Sequence, residues 1–194
     1  MKKILKKTQE LLNKYSTGRN VLALFVITQI IYGFMLLYTI PNVMNHAKGM
    51  KLLDMQPTGY NAEYAKNLFD NLGASGREAY LFRQIPVDMI YPFLFAVTYS
   101  LLLTFLFKKS FNPKSKINGL SLIPIVGGLF DYLENVGIII MLSLYPIFSE
   151  SIANITNVFS VLKSIFITLF FVLLVVGIVG LIAKKVTKLK NKAV

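Results

Sequence analysis

The chain of 194 residues has no cysteine and no tryptophan, one histidine, and nine acids against 21 lysines and arginines. Without cysteine there is no disulfide, no thiol nucleophile and no thiolate metal site. A single histidine excludes a multi-histidine metal centre. Acids are scarce, and charged residues as a whole are few. Only 15% of residues are charged and 55% are apolar, too greasy for an ordinary soluble domain of this length. The net charge of +12 raises the question of nucleic acid. The basic residues stand at the ends of apolar runs, however, where membrane topology puts them, so no nucleic-acid partner is expected. No metal or cofactor is expected either. No repeat or low-complexity linker divides the chain, which reads as one membrane domain over residues 1–194.

Four apolar runs are long enough to span a bilayer. They cover residues 21–40, 85–107, 117–145 and 152–183. The first has 20 residues without a charge and lacks a small-residue cleavage site, so it reads as an uncleaved helix rather than a signal peptide. Pro124 predicts a kink in the third run, and Gly127-Gly128 predicts close helix approach. Residues 1–20 form a basic amphipathic segment with Ile4, Thr8, Leu11, Leu12 and Tyr15 on one face. It suits either an anionic membrane surface or a solvated tail. Residues 184–194 are a second basic tail.

The first loop, residues 42–84, carries its own signals. Pro57-Thr58-Gly59 marks a turn. Asn61 can cap a helix bearing Tyr64, Leu68, Phe69 and Leu72 on one side, which ends at Gly73. Ser75 to Glu78 has capping-box spacing and starts the next helix. The loop is therefore expected to be partly helical and to lie over the helix ends or at the interface. Lysines and arginines number six in the N-terminal tail, four between residues 108 and 118, and five in the C-terminal tail. The first loop balances five against four acids, and residues 146–157 hold no base. The positive-inside rule then predicts a multi-pass cell-membrane protein with both termini cytoplasmic.

The stretch Gly127 to Asn135 organises the rest. Asp131, Glu134 and Asn135 stand at i, i+3 and i+4 and share one helix face inside an apolar run. Intramembrane acids face a protein interior or a wet cavity; they mark functional sites by default, and the other reading open here is that they only join helices. Counting about 1.5 Å per residue from the basic boundaries puts Asp88 and Lys163 together at the outer rim. The same count puts Asp131 and Glu134 near mid-depth, beside Gln29, Tyr32, Thr98 and Tyr99 and away from any cation, so that Lys163 meets Glu134 only if the fourth helix sits deeper or the kink shifts the third. Two acids without a cation there predict that at least one is protonated. His46 reads as solvated; with Asp54 and Glu63 it makes only a weak cation site.

Gly59-Tyr60, Gly76-Arg77 with Tyr80, Asp88 with Pro92, Phe130 to Asn135, and Lys163 form an ordered pattern. It resembles the pattern of a group of small four-helix bacterial integral membrane proteins, over about Leu53 to Lys163. The resemblance implies that these positions belong together and brings no activity with it.

The expectation is an all-α, four-helix membrane bundle with a polar pocket in its outer half. Asp88, Tyr91, Asp131, Glu134, Asn135 and Lys163 would line the pocket, with Arg77, Tyr80 and Arg83 in support. Three uses stay open. The pocket could bind a lipid or an amphipathic or cationic small molecule, with the carboxylates on its positive group. Asp131 and Glu134 could act as acid and base on a lipid-like substrate. The acids could also serve proton or cation transport, or the assembly of a homo-oligomer or partner subunit.

Overall fold

The computed structural model describes residues 2–112 and 115–191. Lys114 and Lys192, from the two basic segments at the chain's tail end, lie outside the described residues. All regular structure among the described residues is helical. Helix α1 covers Lys2–Tyr15. Four longer helices follow: α2 (Gly18–Met44), α3 (Ala62–Ser110), α4 (Lys116–Leu144) and α5 (Glu150–Lys190). Each of the four is long and apolar enough to cross a membrane. They run further than the apolar runs alone: α5 carries Lys184, Lys185, Lys188 and Lys190 as helix rather than as a loose tail.

Local chemistry sets the breaks. Thr17 and Asn61 accept from the backbone N–H of Asn20 and Tyr64 and cap α2 and α3. Gly73 takes φ +62° inside α3, so the helix turns there and restarts at once. Further along, α2 and α3 share a device. Each contains an Ile-Pro step, Ile40-Pro41 and Ile85-Pro86, preceded by a widened π-helical turn at Met35–Thr39 and Tyr80–Gln84. Proline lacks the N–H that would bond the preceding turn, and its ring crowds the carbonyl four residues back; the wide turn accommodates both. The two wide turns face each other, and the Thr39 hydroxyl donates to the Gln84 side-chain oxygen between them. Pro124 does not kink α4, contrary to the sequence expectation. The chain reaches it through a 3-10 stretch, Lys116–Leu122, and Pro124 occupies the opening turn of the α-helical part, where its missing N–H is harmless.

The helices pack in sequence, α2 on α3, α3 on α4 and α5, and α4 most closely on α5. By contrast α2 and α5 scarcely touch. The apolar windows of α3 and α4 are 50% buried, those of α2 and α5 only 17% and 11%, so the last two are flanking helices. At one end, here the loop end, residues 45–61 and the 145–149 turn come together. Leu52 and Leu53 plunge into this end and are fully buried. The predicted stripe Leu68, Phe69 and Leu72 packs there against Ile138, Met141 and Ala153, so the first loop is part of the core. At the opposite, tail end, α1 docks through Leu12 on Val21 and Leu101. Its last residues are tied down by Lys108, whose Nζ donates to the Asn13 carbonyl at 2.9 Å. Ile4 and Leu11 stay exposed.

The Gly127-Gly128 pair splits in role. A Cβ at Gly128 would stand 2.7 Å from the Pro92 carbonyl oxygen of α3, a backbone atom that cannot yield. One at Gly127 would meet Phe166 and Phe95 at 3.5 and 3.6 Å, ordinary contact distances. Gly128→Val should therefore destabilise the fold by about 1–3 kcal/mol, read as a drop in the thermal unfolding midpoint in detergent, while Gly127→Ala stays within about 1 kcal/mol of the parent. Equal effects would contradict this packing.

Candidate functional site

The loop end holds nearly all the buried charge. On α4, Asp131 and Glu134 are one turn apart and both turn inward. Lys163 of α5 lies between them. Its Nζ is 3.5 Å from Asp131 Oδ1 and in contact with the Glu134 carboxylate. Glu134 is fully buried, and Asp131 and Lys163 nearly so. Two expectations from the sequence fall here. Lys163 does not pair with Asp88 at the rim, and the acids of α4 are not without a cation. Counting from the basic boundaries failed because α5 continues past Lys184. Counting from the hairpin turn succeeds: Asp131 lies thirteen residues before Leu144 and Lys163 thirteen residues after Glu150. Antiparallel helices joined by a short turn must bring those levels together.

The first loop closes over this triad. Lys163 Nζ also donates to the Asp54 backbone carbonyl at 3.3 Å. The Asp54 carboxylate accepts from the Tyr80 hydroxyl at 2.5 Å and from Gln84 Nε2 at 3.5 Å. Thr39, Gln84, Asp54 and Tyr80 thus form one chain of hydrogen bonds across α2, α3 and the loop. Tyr60 is anchored by its backbone N–H, which donates to Asn157 Oδ1 at 2.7 Å. Gly59, at φ +86°, lies so close to Asn157 and Val161 that a side chain there would collide with α5. Tyr60 lies outside the helices, and burial pushes its phenol well above the ordinary value, so it stays neutral.

Beside the triad lies a cavity of about 690 Å³ between α2, α3 and α5. Asp54, Asp88, Asp131 and Lys163 stand on its wall at the loop end. Tyr32 and Tyr91 follow, stacked on each other with ring centroids 5.4 Å apart. Deeper, the wall is Phe25, Leu102, Phe171 and Leu174. From Lys163 to Leu174 the wall extends about 16 Å along α5 at the helical rise. The mid-depth polar residues tie α2 to α3 rather than serving the acids: the Thr28 and Thr98 hydroxyls are 2.8 Å apart, and Gln29 Nε2 donates to the Tyr99 hydroxyl at 2.9 Å.

The predicted site residues divide. Asp88, Tyr91, Asp131 and Lys163 line the cavity. Glu134 and Asn135 sit behind its wall, where Asn135 Nδ2 donates to the Asp88 backbone carbonyl at 3.2 Å and ties α4 to α3. Tyr80 reaches the site through Asp54. Arg77 and Arg83 do not belong to it. Arg77 donates to the Phe69 carbonyl at 2.7 Å and lies 3.7 Å over the Tyr145 ring, holding the loop. Arg83 is exposed and reaches Asn42. Sequence reasoning missed Asp54, Gln84 and Thr39. Asp54 had been grouped with His46 and Glu63, but His46 is exposed, and no cluster of three ligating side chains could hold a metal among the described residues. The paired Ile-Pro steps were the one available signal for Thr39 and Gln84.

No protein-family model, no curated protein and no solved structure matches this chain.

Removing the cation alone should leave two buried carboxylates facing each other. Lys163→Met is expected to cost about 3–5 kcal/mol. Adding Asp131→Asn and Glu134→Gln to it should recover most of that loss, as measured by thermal unfolding of the purified protein. A triple variant no more stable than Lys163→Met would show that the triad is not a charge unit.

Proposed function

We propose that this chain is a four-helix membrane bundle that binds a lipid or other amphipathic molecule in the cavity at its loop end. The observation that carries the reading is the gradient along one cavity. Charged groups stand at the loop end, stacked tyrosines follow, and beyond them the wall is mostly aromatic and aliphatic, with Gln29, Tyr99 and Thr168 as its polar members. A cavity of about 690 Å³ falls within the range of small-molecule sites. Its length from Lys163 to Leu174, polar end included, is about 16 Å, close to the depth of one leaflet, about half of a 30 Å hydrocarbon core. The gap between α2 and α5 gives it a side facing hydrocarbon, so a membrane-dissolved molecule can reach it without crossing water.

In this reading the loop end is extracytoplasmic, the first loop roofs the cavity, and both tails are cytoplasmic. The distribution of lysines supports that orientation. Of the Gly59 to Lys163 sequence pattern, Asp88, Asp131 and Lys163 line the polar end of the cavity and Tyr80 reaches it through Asp54, while Arg77 holds the loop and Pro92 meets Gly128. The acid–base reading is weakened, because Asp131 and Glu134 are both engaged by Lys163.

Native mass spectrometry of the parent, released from a mild detergent, should show a discrete adduct of lipid-like mass. Leu174→Trp, which fills the apolar end, should lose it while keeping the parent's helix content. An adduct retained by that variant would place the ligand elsewhere. Because the chain has no cysteine, single cysteines at Lys48 and Lys188 report orientation cleanly. An impermeant maleimide should label the first in intact cells and the second only after lysis; the reverse pattern would invert the orientation.

A further inference from the structure

We propose that the polar end of the cavity takes a cationic head, an ammonium or trimethylammonium group, with Asp88 as its counterion. The proposal rests on the amphiphile-binding reading above and adds the class of the head.

Charge on the cavity wall is unbalanced. Three acids, Asp54, Asp88 and Asp131, face one base, Lys163. That base is already held between Asp131 and Glu134. The carboxylate of Asp54 is engaged by Tyr80 and Gln84. Asp88 differs from both. It is only 4% exposed, it stands on the cavity wall, and its carboxylate makes no hydrogen bond or ion pair among the described residues. Its position is nonetheless fixed, because Asn135 holds its backbone carbonyl. A buried carboxylate without a partner is expensive, and it takes up either a proton or a partner. Among the described residues none gives Asp88 an ion pair or a side-chain hydrogen bond, and Asp88 stands on the cavity wall.

The three classes of head fare differently there. An anionic head meets a surplus of like charge, with the one lysine already neutralised. An uncharged head can offer Asp88 a hydrogen bond but leaves its charge uncompensated. A positive head pairs with Asp88 and also meets the neighbouring tyrosines. Tyr91 lies three residues beyond Asp88 and stacks on Tyr32, so two aromatic rings stand on the wall beside the carboxylate. Aromatic faces attract cations, and aromatic walls are the usual recognition surface for quaternary ammonium groups. A bare metal ion fits less well, since no set of three ligating side chains is assembled among the described residues. The apolar wall continuing toward Leu174 then receives the tail.

The test uses three probes with one tail: dodecyltrimethylammonium, dodecanol and dodecyl phosphate. Each is titrated into the full-length protein in a sugar-headed detergent, and bound fractions are read by native mass spectrometry. The parent should bind the trimethylammonium probe at least about tenfold more tightly than the other two. Asp88→Asn, nearly the same shape without the charge, should lose that preference. Tyr32→Leu should weaken the cationic probe relative to dodecanol by about threefold. This second variant carries the test if Asp88→Asn does not fold, because Tyr32 is exposed and forms no hydrogen bond among the described residues. Unchanged cation preference in either folded variant would overturn the proposal, as would tighter binding of dodecyl phosphate. Those outcomes leave the amphiphile reading standing. If no probe binds and Leu174→Trp changes nothing, the reading itself fails.

Discussion

Burying the ammonium of Lys163 between two carboxylates is the constraint on which the rest of the structure depends. A lysine inside hydrocarbon is unfavourable by several kcal/mol unless it is paired. Here the pairing comes from two acids on one face of α4, so three costly groups become tolerable only together. This fixes the register of the α4–α5 hairpin, because a one-turn slip would separate the charges by about 5.4 Å. It also explains the small residues nearby. Gly137 lies against Thr156, and Gly128 lies under Pro92, so α4 can approach both α5 and α3 closely enough for short polar contacts.

The triad alone would leave its loop-end surface open, and the first loop covers it. Leu52 and Leu53 bring apolar cover, Asp54 brings a backbone carbonyl to Lys163, and Tyr80 with Gln84 holds the Asp54 side chain. Both wide turns are part of this arrangement. A regular helix through residues 80–84 would rotate Gln84 relative to Tyr80, and the two could not hold the two oxygens of one carboxylate in the same way. Prolines placed one residue beyond Ile40 and Ile85 thus shape the roof of the cavity from a distance.

The helices themselves were legible in the sequence: four long apolar runs, an Asn61 cap, a break at Gly73 and a close approach at Gly128 all depend on local chemistry. The charge partners were less so. Lys163 could have been matched to Asp131 by counting outward from the 145–149 turn, since hairpin register is a local property. Counting inward from the basic ends assumed that helices stop where hydrocarbon stops, and α5 does not. Asp54 was beyond such reasoning. Its role depends on the loop folding back more than a hundred residues of chain away from Lys163, and no periodicity encodes that. Arg77 and Arg83 misled for the opposite reason, because bases near a predicted pocket look useful until their own partners, the Phe69 carbonyl, the Tyr145 ring and Asn42, are seen.

The cavity persists because α2 has only one firm neighbour. It is bound to α3 through Thr28–Thr98, Gln29–Tyr99 and the Tyr32–Tyr91 stack, all on one side. Its other side scarcely touches α5, and the bulky aromatics Phe25, Phe95 and Phe171 line the gap without filling it. An apolar space of this size is not stable empty, because its walls forgo dispersion contacts that a denser arrangement would supply. In water such helices would collapse together. In a bilayer the acyl chains are at hand and can fill the apolar part at little cost, which removes the drive for α2 to close on α5. Lipid tails cannot satisfy the polar end. Under the proposed reading the Asp88 side of the cavity would discriminate among occupants, while the apolar part would accept almost any chain of suitable length. Affinity would then be general and specificity local, with the head group as the discriminating part.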